Sequence, residues 1–288
     1  MIFLILNILF ASAFMLFIKW AQVREREDVV TIGTINYIVA AVLIAPFFFS
    51  AATPVTQAAV GTGATMGSAY FIAYFFVIYA IKWVGASSAT VISVLSLLVP
   101  IGFGIFCWGD QPNAWQVVGI GLAVASLLLI GGQKKESKGS VEKPWFAPIM
   151  LVLFFLLCGL SRLAQDAFGQ WCQPDEKMTF NFAAFAVAAI PSLVVMIVRR
   201  VKYAVRVSRS EWAFGFAMGT VNFLQTQFIL ESLERFPGFI VFPVVSAGGV
   251  ILTMLVATQT LGEKLTVKSY IGISIATVAL VLLNVAVE

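Results

Sequence analysis

The chain has no histidine, and only 11% of its 288 residues are charged. Average soluble domains carry about 25% charged residues, so this composition is not that of a soluble protein. The absence of imidazole removes the commonest metal ligand and the usual proton shuttle at neutral pH. Three cysteines, Cys107, Cys158 and Cys172, show no metal-like spacing, and their odd number gives no disulfide framework. We therefore expect no metal site and no cofactor.

Several functional signatures are also missing. No Walker motif is present, and the short connections leave no room for a soluble ATPase domain, which excludes direct ATP drive by this chain alone. The clustered acids, Ser/His sets and metal sites of intramembrane enzymes are lacking, so we expect no enzymatic activity. A filter-like loop is absent too, which disfavours a channel. The net charge of +4 is small and lies in loops, so no nucleic-acid partner is expected.

Apolar residues dominate what is present. They make up 60% of the chain, and the mean hydropathy is +0.98. A helix needs roughly 20 apolar residues to cross about 30 Å of hydrocarbon. The first block lacks a basic n-region and a small-residue cleavage site, so we interpret it as a membrane helix and not a leader. We predict an all-α polytopic membrane protein with ten transmembrane helices, at approximately 2–22, 29–50, 58–81, 85–107, 115–132, 146–168, 178–200, 211–231, 237–260 and 266–286.

The two halves of the chain match at an offset of 153 residues. The stretch "GDQPNAWQVVGIGLAVASLLLI" lies over "GEKLTVKSYIGISIATVALVLL", with Gly119 on Gly272 and Asp110 on Glu263. Each half holds five predicted helices, an odd number, so the second copy enters the membrane from the opposite side. Such inverted repeats are a recurring device of secondary transporters. We predict a first repeat at 1–132, a polar linker at 133–145 and a second repeat at 146–288.

Lys and Arg are unevenly distributed between the two sets of connections. Fifteen of the 18 lie after predicted helices 1, 3, 5, 7 and 9 or in their flanks. Cytoplasmic loops carry the excess of Lys and Arg, so this distribution predicts that both termini face outward. The residues on this side include Arg24, Arg26, Lys134, Lys135, Arg199, Arg200 and Arg206.

The segment "FPGFIVFPVVSAGGVILTMLVATQTLGEKLTVKSYIGISIATVALVLL" resembles the EamA-like transporter family of the drug/metabolite transporter superfamily. The similarity lies in a Pro-containing helix, the "LGEKLT" connection and a Gly-containing last helix. The first repeat departs from the pattern, with Asp110 in place of the usual Glu and a Pro two residues later. The resemblance implies a carrier of amino acids, nucleotide sugars, phosphorylated metabolites, choline or drugs. It also implies that both termini lie inside, opposite to the prediction from charge.

Arg162, Gln165 and Asp166 interrupt an otherwise apolar span. An ionised residue at bilayer depth costs at least about 2.5 kcal/mol on insertion scales, so it normally faces the bundle interior. Arg162 and Asp166 share a helix face at i, i+4 and can pair there. We predict that Arg162 and Gln165 bind substrate, with Arg162 holding a carboxylate or phosphate, and that Asp166 is its counter-ion or a protonatable coupling group. The alternative is that this end of the helix lies at the interface, with Arg162 snorkelling.

The eighth predicted helix carries amides in its middle. Asn222 and Gln225 share a face with Thr226 by their spacing. Amides at this depth hydrogen-bond either between helices or to cargo, and both interpretations stay open. We include both amides among the substrate-binding candidates. Glu231, near the helix end, is a candidate proton-coupling group or an interfacial residue.

The third predicted helix has a stripe of two glycines and two tyrosines, namely Gly63, Gly67, Tyr70 and Tyr74. The glycines predict close helix packing, as do Gly215 and Gly219 in the eighth helix, because small residues let backbones approach. The tyrosines lie near the middle of the span, where their rings suit a cationic, aromatic or apolar cargo.

Two prolines complete the candidate set. Pro100 and Pro243 are expected to kink the fourth and ninth helices, because proline lacks an N–H donor and clashes with the preceding turn. We predict gating roles for both, although kinks also occur in passive bundles.

Together these features predict a secondary-active carrier in a bacterial inner membrane. It would move a small organic metabolite (amino acid-like, organic anion or drug-like) by alternating access, as an exporter. The expected partners are the lipid bilayer, the substrate and protons, and the chain would be a monomer or a weak homo-oligomer. The competing hypothesis is a non-transporting membrane-embedded enzyme or scaffold.

Overall fold

A computed structural model describes residues 1–23, 28–50, 53–131, 145–203, 207–260 and 267–284. These residues are helical almost throughout and include no strand. A π-helical turn, Gly104–Trp108, follows the fourth helix, and a 3₁₀ turn, Pro174–Glu176, precedes the seventh. The α-helices are α1 Ile2–Val23, α2 Val29–Ser50, α3 Gln57–Leu95, α4 Leu98–Phe103, α5 Ala114–Gly131, α6 Ala147–Trp171, α7 Lys177–Tyr203, α8 Arg209–Leu233, α9 Gly238–Thr260 and α10 Val267–Asn284.

The structure differs from the predicted helix boundaries mainly between residues 81 and 98. A connection was predicted between residues 81 and 85, but α3 continues to Leu95. A turn at residues 96–97 then separates α3 from α4. The physical reason is Pro100, which has no N–H to donate to the carbonyl of Ser96 and would clash with it in a continuous helix. Residues 82–84 contain no comparable helix breaker.

Within the described residues, five helical segments are long and apolar enough to cross a membrane. They are Val29–Ser50, Gln57–Val77, Ala147–Trp171, Pro174–Lys202 and Gly238–Thr260, and four shorter apolar helices accompany them. The chain is therefore an all-helical, multi-pass membrane protein. Residues 133–144 of the predicted linker and the "LGEKLT" connection with Glu263 lie outside the described residues.

The chain divides into two compact units that each take helices from both halves of the sequence. Unit 1 comprises Met1–Phe71 and Ala164–Glu234, and unit 2 comprises Ile72–Leu163 and Arg235–Glu288. The boundaries fall inside α3 and α6, so each of these helices contributes to both units. The proposed division into repeats at 1–132 and 146–288 stays a prediction.

Glycines allow helix backbones to touch in unit 1. A Cβ added at Gly63 or Gly67 of α3 would overlap a backbone oxygen of α7, that of Phe180 or of Ala184. On α8, a Cβ at Gly215 would lie 2.5 Å from the Cβ of Ile35, and one at Gly219 would lie 2.7 Å from the carbonyl oxygen of Asn36. Both pairs of glycines thus lie at helix contacts, α3 with α7 and α8 with α2.

Unit 2 is built around α5, α9 and α10. A Cβ at Gly119 of α5 would lie 2.9 Å from Cγ of Leu283 on α10. A second cluster joins Ala73, Ala80 and Ala89 of α3 with Phe154 of α6.

The glycine contacts generate a stability prediction with a control on the same helix. Gly67→Ala should lower the free energy of unfolding by about 1–3 kcal/mol, because the new methyl group meets the Ala184 carbonyl and forces α3 and α7 apart. A Cβ at Gly61 meets no atom within 4 Å. Gly61→Ala should therefore be neutral or raise stability by up to about 1 kcal/mol through helix propensity.

Thermal unfolding of both variants in detergent measures the difference. Equal melting temperatures for Gly67→Ala and Gly61→Ala would contradict the close contact.

Candidate functional site

A pocket of about 560 Å³ lies within unit 1. Four parts of the chain form it: the start of α1, the segment after α2, the start of α7 with its preceding turn, and the end of α8. Pockets for small organic ligands usually measure about 300–1,000 Å³ and have mainly apolar walls with a few polar groups. The lining residues are Phe3, Thr53, Pro54, Pro174, Asp175, Lys177, Met178, Gln227, Phe228 and Glu231.

An ionic cluster lies at one side of this pocket. The Nζ atom of Lys177 is in direct contact with the Glu231 carboxylate and lies 2.8 Å from Oε1 of Glu234. Lys177 is only 9% exposed. Burying an ammonium group is costly unless it is paired, so the two carboxylates on α8 hold α7 against α8 at this end.

Amide groups extend the cluster along the same two helices. Asn181, one turn after Lys177, donates from Nδ2 to Oε1 of Gln227 at 2.6 Å, and Gln227 lines the pocket. The Oδ1 atoms of Asn181 and Asn7 are both buried, and neither has a hydrogen-bond partner. Buried polar groups are normally satisfied, so these two oxygens are acceptors available to a polar ligand group or water.

Aromatic rings form the apolar wall of the pocket. Phe228 stacks between two rings of α1, with centroids 6.1 Å from Phe3 and 5.5 Å from Phe10. These contacts bury part of each ring and fix α1 against α8. The pocket therefore combines a flat apolar surface with charged and amide groups.

The start of α7 is fixed locally by its own sequence. Gln173 and Glu176 form a capping box, with the Gln173 N–H donating to Oε2 of Glu176 at 2.6 Å, and Pro174 occupies the first position of the turn. Thr179 donates from its hydroxyl to the Pro54 carbonyl at 2.8 Å. These bonds hold Lys177 and the segment after α2 in place beside the pocket.

The opposite ends of α7 and α8 carry a second ionic group. Arg199 Nη1 donates to Oδ2 of Asp28 at 2.9 Å, and the Asp28 N–H donates to Oε1 of the buried Glu211 at 2.8 Å. Arg199 lies 22 residues after Lys177, about 33 Å along a helix axis. This separation is close to the roughly 30 Å thickness of bilayer hydrocarbon.

The structure places the predicted amides Asn222 and Gln225 at helix contacts. Asn222 is buried and donates from Nδ2 to Oδ1 of Asn36 on α2 at 3.2 Å. Gln225 accepts at its backbone carbonyl from Nδ2 of Asn7 at 2.8 Å. Neither residue lines the pocket. The side chain of Asn222 connects α8 to α2, and the backbone carbonyl of Gln225 connects α8 to α1.

The predicted tyrosines fall into different units. Tyr70 belongs to unit 1, where its ring lies 6.4 Å from that of Tyr37 and its carbonyl accepts from the Tyr37 hydroxyl at 3.2 Å. It packs on a cluster that includes the fully buried Phe185. Tyr74, one turn later, belongs to unit 2 and is half-buried.

Arg162 stabilises the break between α3 and α4 in unit 2. Its Nη1 donates to the Val94 carbonyl at 3.0 Å and to the Ser96 hydroxyl at 2.9 Å. The last carbonyls of a helix lack intrahelical partners and carry partial negative charge, so a guanidinium group is well suited to this position. Gln165 and Asp166, further along α6, are both 4% exposed and belong to unit 1.

The two candidate gating prolines both lie in or beside helices of unit 2. Pro100 is buried in α4, immediately after the break that it causes. Pro243 is buried within α9.

Sequence reasoning missed four residues of the pocket cluster. Lys177, Asn181, Gln227 and Glu234 were not among the candidates, although Glu231 was. The signal was present in the spacing: Lys177 and Asn181 are four apart, and Gln227, Glu231 and Glu234 are spaced four and three, so each set shares a helix face. The pairing of the two faces depends on packing, which the spacing alone does not give.

Residues 1–132 match the sequence model of the EamA-like transporter family. This part of the chain belongs to that family, within the drug/metabolite transporter superfamily. The predicted resemblance is thereby confirmed, and the matching half is the one in which Asp110 departs from the expected motif. The EamA-like family is one of membrane transporters and is generally non-enzymatic.

The fold is similar to that of a protein in a solved crystal structure. The TM-score is 0.74, and the similarity covers 99% of this chain and 96% of the other. The two sequences are 15% identical, so the likeness concerns the fold alone. No curated protein matches the chain in sequence.

Cys172, in the turn between α6 and α7, reports the electrostatics beside the pocket. Burial raises the pKa of its thiol, the negative charge of Glu176 raises it further, and a hydrogen bond with Thr62 opposes both effects.

This shift can be measured by alkylation of Cys172 in a variant whose other two cysteines are replaced by alanine. The rate should rise with pH around a midpoint above the usual thiol value of about 8.5, because only the thiolate reacts. Glu176→Gln should lower that midpoint, since glutamine keeps the capping box but removes the charge. An unchanged midpoint would show that Cys172 does not sense Glu176.

Proposed function

We propose that the chain is a secondary carrier that exports a small organic metabolite across a bacterial inner membrane by alternating access. The observation that carries this proposal is the pocket in unit 1, which joins apolar rings with a buried lysine and with carboxylate and amide groups. Membership of the first 132 residues in the EamA-like family supports the same class of function. The substrate would be amino acid-like, an organic anion or drug-like.

The predicted site residues take the following roles in this proposal. Arg162 and Tyr74 in unit 2, and Gln165, Tyr70, Asn222 and Gln225 in unit 1, remain the proposed substrate-binding residues, and Glu231 is the predicted candidate that lines the pocket. Asp166 and Glu231 carry the coupling proton, because proton relays in membrane proteins use Asp, Glu and His side chains and this chain has no histidine. The prolines at 100 and 243 permit the bending that exposes the site to alternate sides.

Counterflow in proteoliposomes tests the function directly. The full chain, loaded with one unlabelled compound at a time from a panel of amino acids, organic acids and cationic amines, should accumulate the same labelled compound transiently. Exchange of this kind requires a carrier and is not expected of a membrane-embedded enzyme or a scaffold. Absence of counterflow for every compound, with protein shown to be folded by its melting transition, would contradict the proposal.

A matched pair of variants separates a substrate role of Arg162 from its role at the helix break. Arg162→Ala should reduce uptake of a carboxylate-bearing substrate at least about tenfold, because a charge-assisted hydrogen bond is lost. Ser96→Ala removes one partner of Arg162 at the break but keeps the guanidinium group, and should transport nearly normally.

The measurement is initial uptake at equal amounts of folded protein. Wild-type uptake by Arg162→Ala, or equal losses in both variants, would contradict a direct contact between Arg162 and substrate.

A further inference from the structure

Among the described residues that line the pocket in unit 1, acidic side chains outnumber basic ones. Asp175 and Glu231 are the carboxylates of this lining, and Lys177 is its ammonium group. Lys177 contacts Glu231 and also a carboxylate beside the pocket, that of Glu234. This excess of carboxylates over ammonium groups favours a ligand that carries a positive charge.

The positively charged group in the pocket is the side chain of Lys177, at the start of α7. The Lys177 ammonium lies at the end of a flexible four-carbon chain and is shared between Glu231 and Glu234. A ligand ammonium has the same charge and the same three donors as lysine. It can therefore replace Lys177 at Glu231, and Lys177 keeps Glu234 as its partner at 2.8 Å.

The rest of the lining suits the body of such a ligand. Phe3, Phe228 and Met178 give the wall flat and deformable apolar surface, and aromatic faces also attract cations. Gln227, whose amide oxygen accepts from Asn181, offers a polar group beside Glu231. The volume of about 560 Å³ exceeds that of a single aromatic ring with a short side chain.

We infer that the pocket binds an organic amine with an aromatic or other apolar body, and that Lys177 is a resident counter-ion which the amine displaces from Glu231. This inference rests on the proposed function, since it names the class of cargo that the carrier would take. It also explains why a buried lysine lies between Glu231 and Glu234: it keeps Glu231 paired when cargo is absent.

Binding to the purified full chain in detergent tests the inference independently of transport. The probes are 2-phenylethylammonium and 3-phenylpropanoate, which share the same aromatic body and chain but carry opposite charges. Isothermal titration should show the ammonium compound binding at least about tenfold more tightly than the carboxylate, because a charge-assisted bond to Glu231 discriminates between them.

Lys177→Gln gives the decisive result, because its expected effect is a gain. Removing the resident cation removes the competition for Glu231, so 2-phenylethylammonium should bind about tenfold more tightly. Lys202→Gln is the matched control, since it removes one lysine charge at the far end of the same helix, and should leave the affinity unchanged.

Glu231→Gln should weaken binding of the ammonium probe about tenfold or more. The double variant Lys177→Gln with Glu231→Gln removes both charges of the Lys177–Glu231 pair, so it should fold as the wild type does. It should bind the amine as weakly as the single variant Glu231→Gln. Melting temperatures establish that each variant is folded.

Weaker amine binding by Lys177→Gln, or tighter binding of 3-phenylpropanoate than of the amine by the wild type, would overturn the inference. Counterflow of organic acids without amine binding would overturn it while leaving the carrier function intact. Amine binding with the predicted variant effects but without any counterflow would support the site and contradict the carrier function.

Discussion

The structure of unit 1 depends on the pairing of one buried ammonium group. Lys177 lies at the start of α7 with 9% of its surface exposed, where an isolated charge would be strongly disfavoured. The carboxylates of Glu231 and Glu234 on α8 satisfy it, and the amides of Asn181 and Gln227 continue the polar contact one turn deeper. The pocket lies beside this cluster, between the charged groups of Lys177 and Glu231 and the rings of Phe3 and Phe228.

The same requirement, that no polar group be left unpaired in a low-dielectric surrounding, acts at other interruptions of the helices. At the break after α3, Arg162 donates to the Val94 carbonyl, which also accepts from the Leu97 N–H. At the far ends of α7 and α8, Arg199 and Glu211 satisfy the carboxylate and the N–H of Asp28. In each place a charged side chain of one helix forms a hydrogen bond with a backbone group or a carboxylate of another segment.

Much of the fold follows from the sequence because the length of an apolar block is set by the thickness of the bilayer. The limits of α1, α2 and α9 agree with prediction within about two residues. The break near Pro100 was displaced from its predicted place, since helix continuity through 82–84 depends on the absence of a breaker and not on hydrophobicity. The pocket was less predictable: Glu231 stood out as a charge in an apolar helix, whereas Lys177 lies just before the predicted helix 178–200 and was not a candidate.

The difference between these outcomes has a physical cause. Hydrophobicity acts on each segment separately, so segments can be found one at a time. A binding pocket arises where two helix faces meet, and its character depends on which groups neutralise one another there. Arg162 and Asp166 share a face of α6 in the sequence, but the spacing does not reveal that Arg162 also donates to the Val94 carbonyl and the Ser96 hydroxyl at the end of α3. Lys177 and Glu231 are far apart in the sequence, yet they are in direct contact beside the pocket, and this is the ion pair that the proposed amine would open.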